Sequence, residues 1–244
     1  MAKTTPRLHV PDALADGTDL TLGTEQSHYL SHVLRLTSGD AVRLFNNVDG
    51  EVLAYITTVA KKAVSLRCER QVHAVQPPPD IDYVFAPLKH QRLDYLVQKA
   101  TELGSRRLQP MITARTIAER VNLDRMRANV IEAAEQCNLV FVPEVLEPKT
   151  FASLMKTWDQ NRAIIFCDET ATSTDPRSAL AQLKPPAAVF VGPEGGFTEE
   201  ERASLKSMPN VAAISLGPRI MRADTAAVAA LALVQATIGD WQSR

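Results

Sequence analysis

Glycine and polar residues gather at three places in the second half of this chain: Asp168-Glu169-Thr170, Gly192-Pro193-Glu194-Gly195-Gly196-Phe197 and Gly217-Pro218-Arg219-Ile220-Met221-Arg222. Glycine carries no Cβ, so at Gly192, Gly195 and Gly196 a ligand can come directly against backbone amides and carbonyls. A plain tight turn describes the glycine pair alone equally well. The spacing matches neither the dinucleotide Gly-x-Gly-x-x-Gly fingerprint nor a P-loop, since no Gly-Lys-Ser/Thr follows. What does follow is a helix start: Thr198 can cap it, Glu201 can return the bond, and Glu199 and Glu200 suit the positive helix end. That acidity disfavours a phosphate at this loop. The chemistry on offer is ligand recognition by backbone polar groups.

Each of these segments follows a short β-rich apolar run, at residues 163–167, 187–191 and 211–216. In an open α/β sheet, ligands bind in the crevice outside the carboxyl ends of the strands, so three consecutive polar strand ends locate a site. The preceding pattern alternates strand and helix: a strand at 81–88, a helix at 89–103 ending near Gly104, a strand at 108–113, and helices at 123–137 and 151–158. Such alternation predicts a mainly parallel sheet covered on both faces. Earlier, short β-type runs at 7–10, 41–45, 51–56 and 64–68 are punctuated by Ser38-Gly39-Asp40 and Asp49-Gly50, which reads as a small β-barrel interrupted by one helix near 25–36. Gln76-Pro77-Pro78-Pro79-Asp80 can continue neither a ladder nor a helix, placing a linker there. The expected fold class is α/β, with an amino-terminal β-barrel domain at 1–75 and an α/β domain at 76–244.

Composition bounds the partners. With 27 Lys and Arg against 28 Asp and Glu, the net charge of −1 gives no whole-molecule attraction to phosphate, so any nucleic-acid surface must come from local clustering. The 45% hydrophobic content excludes a disordered chain. Cys68, Cys137 and Cys167 are far apart and without ligand spacing, which signals neither a disulfide framework nor a metal site. No charged-then-apolar leader appears at the amino terminus, and the longest apolar stretch, 226–234, is well short of the ~20 residues of a membrane helix. The expectation is a cytoplasmic protein with no membrane contact and no metal.

The two carboxy-terminal motifs carry a family resemblance. Residues 191–197 match the Gly-Pro-Glu-Gly-Gly loop of RsmE-type methyltransferases, and 216–226 resemble their Leu-Gly-x-Arg-Ile-Leu-Arg-x-Glu-Thr-Ala segment. Similarity extends to Lys99-Ala100-Thr101-Glu102-Leu103-Gly104, to Glu135-Gln136 and to Val33-Leu34-Arg35, and so spans nearly the whole chain. The resemblance implies a PUA-like RNA-binding domain followed by a SPOUT domain tied in a trefoil knot. It implies methylation of N3 of a uridine in 16S ribosomal RNA of the small ribosomal subunit, with S-adenosylmethionine touching Gly192, Gly196, Leu216, Gly217, Ile220 and Met221. Loop chemistry agrees, because backbone groups can satisfy an adenine edge while Ile220 and Met221 flank its ring. A homodimer is implied as well. The last helix, apolar almost all round from Ala226, suits that role, although burial within one subunit describes it equally.

Methylating an imide nitrogen requires loss of its proton, so the site needs in-line positioning and a group that takes or stabilises charge. Arg222 can hold charge developing on a uracil carbonyl oxygen, and Asp224 can orient that arginine or accept the proton; the plainer reading is a helix cap, from Asp224 or Thr225, beside a surface arginine. Candidate RNA phosphate contacts are Arg7, His28, Arg35 and Arg43 in the first domain and Lys89, Arg92 and Arg115 in the second, with His32 and Arg120 beside them; for any one alone a solvated surface charge is the plainer reading, and their value is collective. His28 and His32 lie at i and i+4, but no third metal ligand accompanies them. The chain departs from the family pattern where Leu139 to Phe141 replace a customary Arg before Val142-Pro143, and where Met221, Ala223 and Asp224 replace Leu, Thr and Glu. A relative acting on another base or a ribose, or a non-catalytic ribosome-assembly factor, are the alternative readings.

Overall fold

A computed structural model describes residues 5–61, 63–89, 91–118, 120–168, 170–171 and 175–242. Contacts divide the chain into two compact units, one running to Pro77 and joined by Ala134–Val142, the other comprising Pro78–Ala133 and Pro143–Arg244. The break falls inside the proline run, where no residue can extend a ladder. The expected uninterrupted domain from 76 to 244 is corrected at one place, because 134–142 cluster with the first unit.

The reason is a buried arginine. In the first unit, β1 (Arg7–His9), β2 (Asp19–Thr21), β3 (Ala41–Asn46), β4 (Gly50–Val59) and β5 (Val64–His73) form one sheet in the order β1-β3-β4-β5-β2. Arg7 and Glu51 are both buried in it, and the Arg7 guanidinium donates to Glu51 and to the carbonyls of Ala134, Glu135 and Leu139 at 2.9 to 3.0 Å. Sequence periodicity carries no trace of such a long-range polar contact. The Asp49-Gly50 hairpin forms as expected: Asn46 Oδ1 accepts from the amides of Val48 and Asp49, and Gly50 sits at φ +81°, where an added Cβ would lie 2.3 Å from the His73 carbonyl oxygen. The strand at Asp19–Thr21 carries too short a pattern to be read. The expected helix at 25–36 is two short pieces, α1 (Thr24–His28) and a π-type turn (Tyr29–Val33), closed by Arg35 in the left-handed region at φ +56°. Leu30 and Leu36 still reach the core.

The second unit is a parallel sheet ordered β12-β10-β11-β6-β7-β8, with β9 also on β7. Its strands are β6 (Ile81–Phe85), β7 (Arg107–Ile112), β8 (Glu144–Val145), β9 (Lys149–Thr150), β10 (Ala163–Cys167), β11 (Ala187–Val191) and β12 (Val211–Ile214), and every pairing is parallel. The helices are α2 (Gln91–Glu102), α3 (Leu123–Gln136, whose residues from Ala134 cluster with the first unit), α4 (Phe151–Lys156), α5 (Pro176–Leu180), α6 (Glu199–Ser207) and α7 (Ala223–Ile238). β11 and β10 are buried almost throughout, as expected of parallel strands covered on both faces. Charges pin the amino-terminal edge of this sheet. Arg107 grips Asp82 with two bonds at 2.7 and 2.8 Å, and Arg162 grips Asp80 at 2.9 and 3.0 Å while lying 3.3 Å from Asp82. Burial pushes the Asp82 carboxyl above its ordinary value despite both arginines.

In the first unit, burial alone would raise Glu51, but hydrogen bonds from Arg7 and His73 hold it below the ordinary glutamate value. A carboxylate with a lowered folded-state pKa stabilises above its unfolded pKa, and that stabilisation is lost as pH falls through the folded value. Glu51→Ala leaves Arg7 buried without its anion and is expected to cost about 3–5 kcal/mol in urea unfolding at pH 7. The wild-type advantage over the variant should shrink in acid; a difference that is small at pH 7 or does not depend on pH contradicts this role.

Candidate active site

β12, β10 and β11 are adjacent, and their carboxyl ends lie level: Cys167 pairs with Ile214, and Phe166 with Phe190. The chain therefore leaves three neighbouring strands at one edge, and the loops enclose a single cleft. Its lining includes Cys167 and Asp168, then Gly192, Pro193, Glu194, Gly196 and Phe197, then Leu216, Gly217, Ile220 and Met221. All six residues assigned to the cofactor by resemblance are among them.

The first glycine loop is braced from within. Gly196 N–H donates to the Pro193 carbonyl at 2.8 Å, and Phe197 turns inward so that a Cβ on Gly192 would meet its ring at 3.0 Å. Thr198 Oγ1 accepts from the Glu201 amide at 3.2 Å and Glu201 Oε2 accepts from Thr198 N–H at 2.9 Å, the capping box that the spacing predicts. Glu201 Oε1 also accepts from the Ala114 amide at 2.9 Å, tying the loop after β7 to this turn. The second glycine loop is open: Gly217 sits at φ +110° with nothing within 4 Å of where a Cβ would be, and Ile220 is 92% exposed. An apolar side chain that exposed, at a cleft rim, is suited to cover a ligand.

Asp168 directly follows β10 and is buried. Burial alone would raise its carboxyl, but Thr170 donates twice to Oδ1, at 2.7 and 3.0 Å, and Lys206 lies 3.1 Å from Oδ2, so its pKa falls below the ordinary value. The Lys206 contact is an ion pair rather than a directed hydrogen bond. Asp168 was legible only as a polar strand end; its neighbour Glu169 lies outside the described residues. Cys167 beside it is pushed by burial to about 12, a neutral thiol.

Asp224 does not cap α7 and does not orient Arg222. The N-cap position belongs to Arg222, whose side chain makes no capping bond and is exposed. Asp224 Oδ1 accepts from the Thr225 amide at 2.9 Å, and Oδ2 accepts from Arg92 Nε at 3.0 Å. Arg92 also donates to Glu194 of the first glycine loop. The Arg92 bond, followed by that from Thr225, holds Asp224 below the ordinary aspartate value.

The candidate phosphate contacts divide. Arg7 is buried against Glu51, with its guanidinium 4.5 Å from the Phe45 ring centroid, and is a structural cation. Arg115 donates to the Gly195 carbonyl at 2.7 Å, bracing the glycine loop, and Arg92 is committed to two carboxylates. Lys89 and Arg35 are exposed, and Arg43 is half-exposed 3.7 Å from Glu51. His28 and His32 are exposed with rings stacked at 4.7 Å, next to exposed Tyr29 and Val33.

Comparison with known proteins gives the family. An RNA methyltransferase domain model matches residues 76–235, and an RNA methyltransferase PUA domain model matches 22–68. Fold and site define an RNA methyltransferase with a PUA-like amino-terminal domain and a SPOUT α/β domain. The ribosomal RNA small subunit methyltransferase E of Rickettsia conorii is 32% identical over 94% of this chain and 94% of its own, and that of Synechocystis is 32% identical over 93% of this chain and 76% of its own. The solved small subunit methyltransferase E of Neisseria gonorrhoeae, bound to S-adenosylmethionine, superposes with a TM-score of 0.87 at 27% identity over 98% of this chain and 100% of its own. A Legionella pneumophila methyltransferase with the same cofactor bound gives 0.86 at 30% identity over 97% and 99% of the two chains. The chain belongs to the ribosomal RNA small subunit methyltransferase E family.

Glu201→Ala removes the capping box and the acceptor for Ala114 and is expected to destabilise the second unit by about 1–3 kcal/mol. Thermal unfolding should show a midpoint several degrees lower; an unchanged midpoint contradicts the bracing role.

Proposed function

We propose that this protein methylates N3 of a uridine in the 16S ribosomal RNA of the small ribosomal subunit, with S-adenosylmethionine as donor. The observation that carries the reading is the meeting of three loops in one cleft, in a chain whose relatives are named ribosomal RNA small subunit methyltransferase E. The lining suits the donor. Val191, Leu216, Ile220 and Met221 offer apolar contact for an adenine, and the open Gly217 leaves backbone groups accessible.

When bound, S-adenosylmethionine supplies an electrophilic methyl group on a sulfonium. The protein's part is to bind and orient. The loops after β10, β11 and β12 fix the donor side, and Arg222, exposed immediately after Met221 of the cleft, is available to a carbonyl oxygen of the base as negative charge develops there. Asp224, held below its ordinary pKa by Arg92, is a poor proton acceptor and a good orienting anion. His28, Tyr29, His32 and Arg35 of the first unit contact RNA by stacking and charge, and Lys89 of the second unit is a further exposed cation. The protein works in the cytoplasm as a homodimer; Val228, Leu233 and Ile238, left partly exposed on the apolar α7, support the pairing.

Mass spectrometry of nucleosides from ribosomal RNA of a strain lacking the gene should show 3-methyluridine lost and restored by the wild-type gene. Unchanged 3-methyluridine with another methylated nucleoside missing overturns the choice of base. With purified small subunits from that strain, Arg222→Ala is expected to slow methyl transfer about 100-fold.

A further inference from the structure

Arg92 occupies a position that folding alone does not account for. It is the second residue of α2, where the positive helix end opposes a cation. Its guanidinium is held by carboxylates from two other segments, Nη1 by Glu194 of the first glycine loop and Nε by Asp224 in the first turn of α7. Both segments form the cleft: Glu194 lines it, as do Met221 and Ala223 just before Asp224. The third nitrogen, Nη2, is buried and has no hydrogen-bond partner among the described residues.

A guanidinium is planar, so fixing Nε and Nη1 on two acceptors fixes the direction of Nη2 as well. Buried donors without partners are rare in folded proteins, and each calls for an explanation, a catalytic role among them. The ligand's chemistry follows from charge. One cation stands between two carboxylates, leaving the trio net negative, which repels a full anion such as a phosphate or a carboxylate. A neutral carbonyl oxygen meets no such repulsion. Uracil carries two, one on each side of N3, and each takes only part of the charge that develops as N3 passes its proton to solvent water while attacking the methyl carbon, whose bond to sulfur breaks to leave a neutral thioether. Arg222 can serve one and leaves the other without a donor.

We propose that Arg92 is a catalytic residue whose Nη2 donates a hydrogen bond to a carbonyl oxygen of the target base, and that Glu194 and Asp224 are the positioning residues that aim it. This rests on the methyl-transfer reading above. Because Glu194 belongs to the glycine loop, the clamp also makes the aim of Arg92 depend on that loop being in place.

The test uses full-length protein, small subunits lacking the modification, and S-adenosylmethionine. Arg92→Ala is expected to keep cofactor affinity by calorimetry and the KM for subunits within about threefold while kcat falls about 100-fold, the scale of removing one preorganised donor. Added methylguanidinium should restore part of the lost kcat. Arg92→Ala turning over within threefold of wild type overturns the proposal, as does a loss confined to cofactor affinity. If Arg92→Ala does not give a folded protein by thermal melting, Arg92→Lys decides, since it keeps a cation near Asp224 without the fork: kcat reduced at least tenfold with cofactor binding intact supports the proposal, and unchanged kcat overturns it. Failure of the wild-type protein to bind S-adenosylmethionine or to methylate the subunits would instead remove the underlying reading, and this proposal with it.

Discussion

The second unit depends on a constraint of parallel sheets: strands that run the same way release their chains at the same edge. β12, β10 and β11 are neighbours whose last paired residues stand level, so three segments distant in sequence must converge just beyond Ile214, Cys167 and Val191. The opposite edge is pinned by Asp80, Asp82, Arg107 and Arg162, in a region where burial makes unpaired charge costly. Parallel sheets place ligand sites beyond the carboxyl ends for this reason. The cleft is a consequence of strand order before any side chain is considered.

Side chains then decide how rigid each wall is. The first glycine loop is held on three sides, by Arg115 on the Gly195 carbonyl, by Glu201 on Thr198 and Ala114, and by Phe197 turned into the core. The second has few such ties: Gly217 donates to Ser215 Oγ at 3.3 Å, and Ile220 stands in solvent. One wall is therefore built before a ligand arrives and the other can adapt to it, a division that favours specific binding without sealing the entrance. Arg92 joins the rigid wall to the start of α7, so the geometry of the proposed reaction centre is set by three segments at once.

Much of this was legible in the residues. The strands at Ala163–Cys167 and Ala187–Val191 agree with the expected bounds because fully buried parallel strands are continuous apolar runs. The capping box after Phe197 follows from the Thr198 and Glu201 spacing, since a local motif needs no tertiary context. Long-range polar contacts left no such signal. Arg7 reads as a surface cation and is a core residue, because its partners lie 44 and more than 120 residues away. Arg92 reads as a phosphate contact and is a clamp for the same reason, with Asp224 132 residues distant. The segment at 25–36 has helical periodicity, yet one turn is π-type and Arg35 breaks out at positive φ, a local backbone choice that apolar spacing does not encode. Chain threading also leaves no periodic trace, so the trefoil knot rests on resemblance alone.

The central claim is that the three loops form the pocket of a methyl-donor cofactor. The most direct measurement is titration of the isotopically labelled protein with S-adenosylmethionine, followed by amide NMR. Saturable shifts centred on Gly192, Gly196 and Gly217, with Asp168 among the affected residues, are the predicted result. No binding, or shifts confined to the first unit while those glycines stay unmoved, would contradict the account.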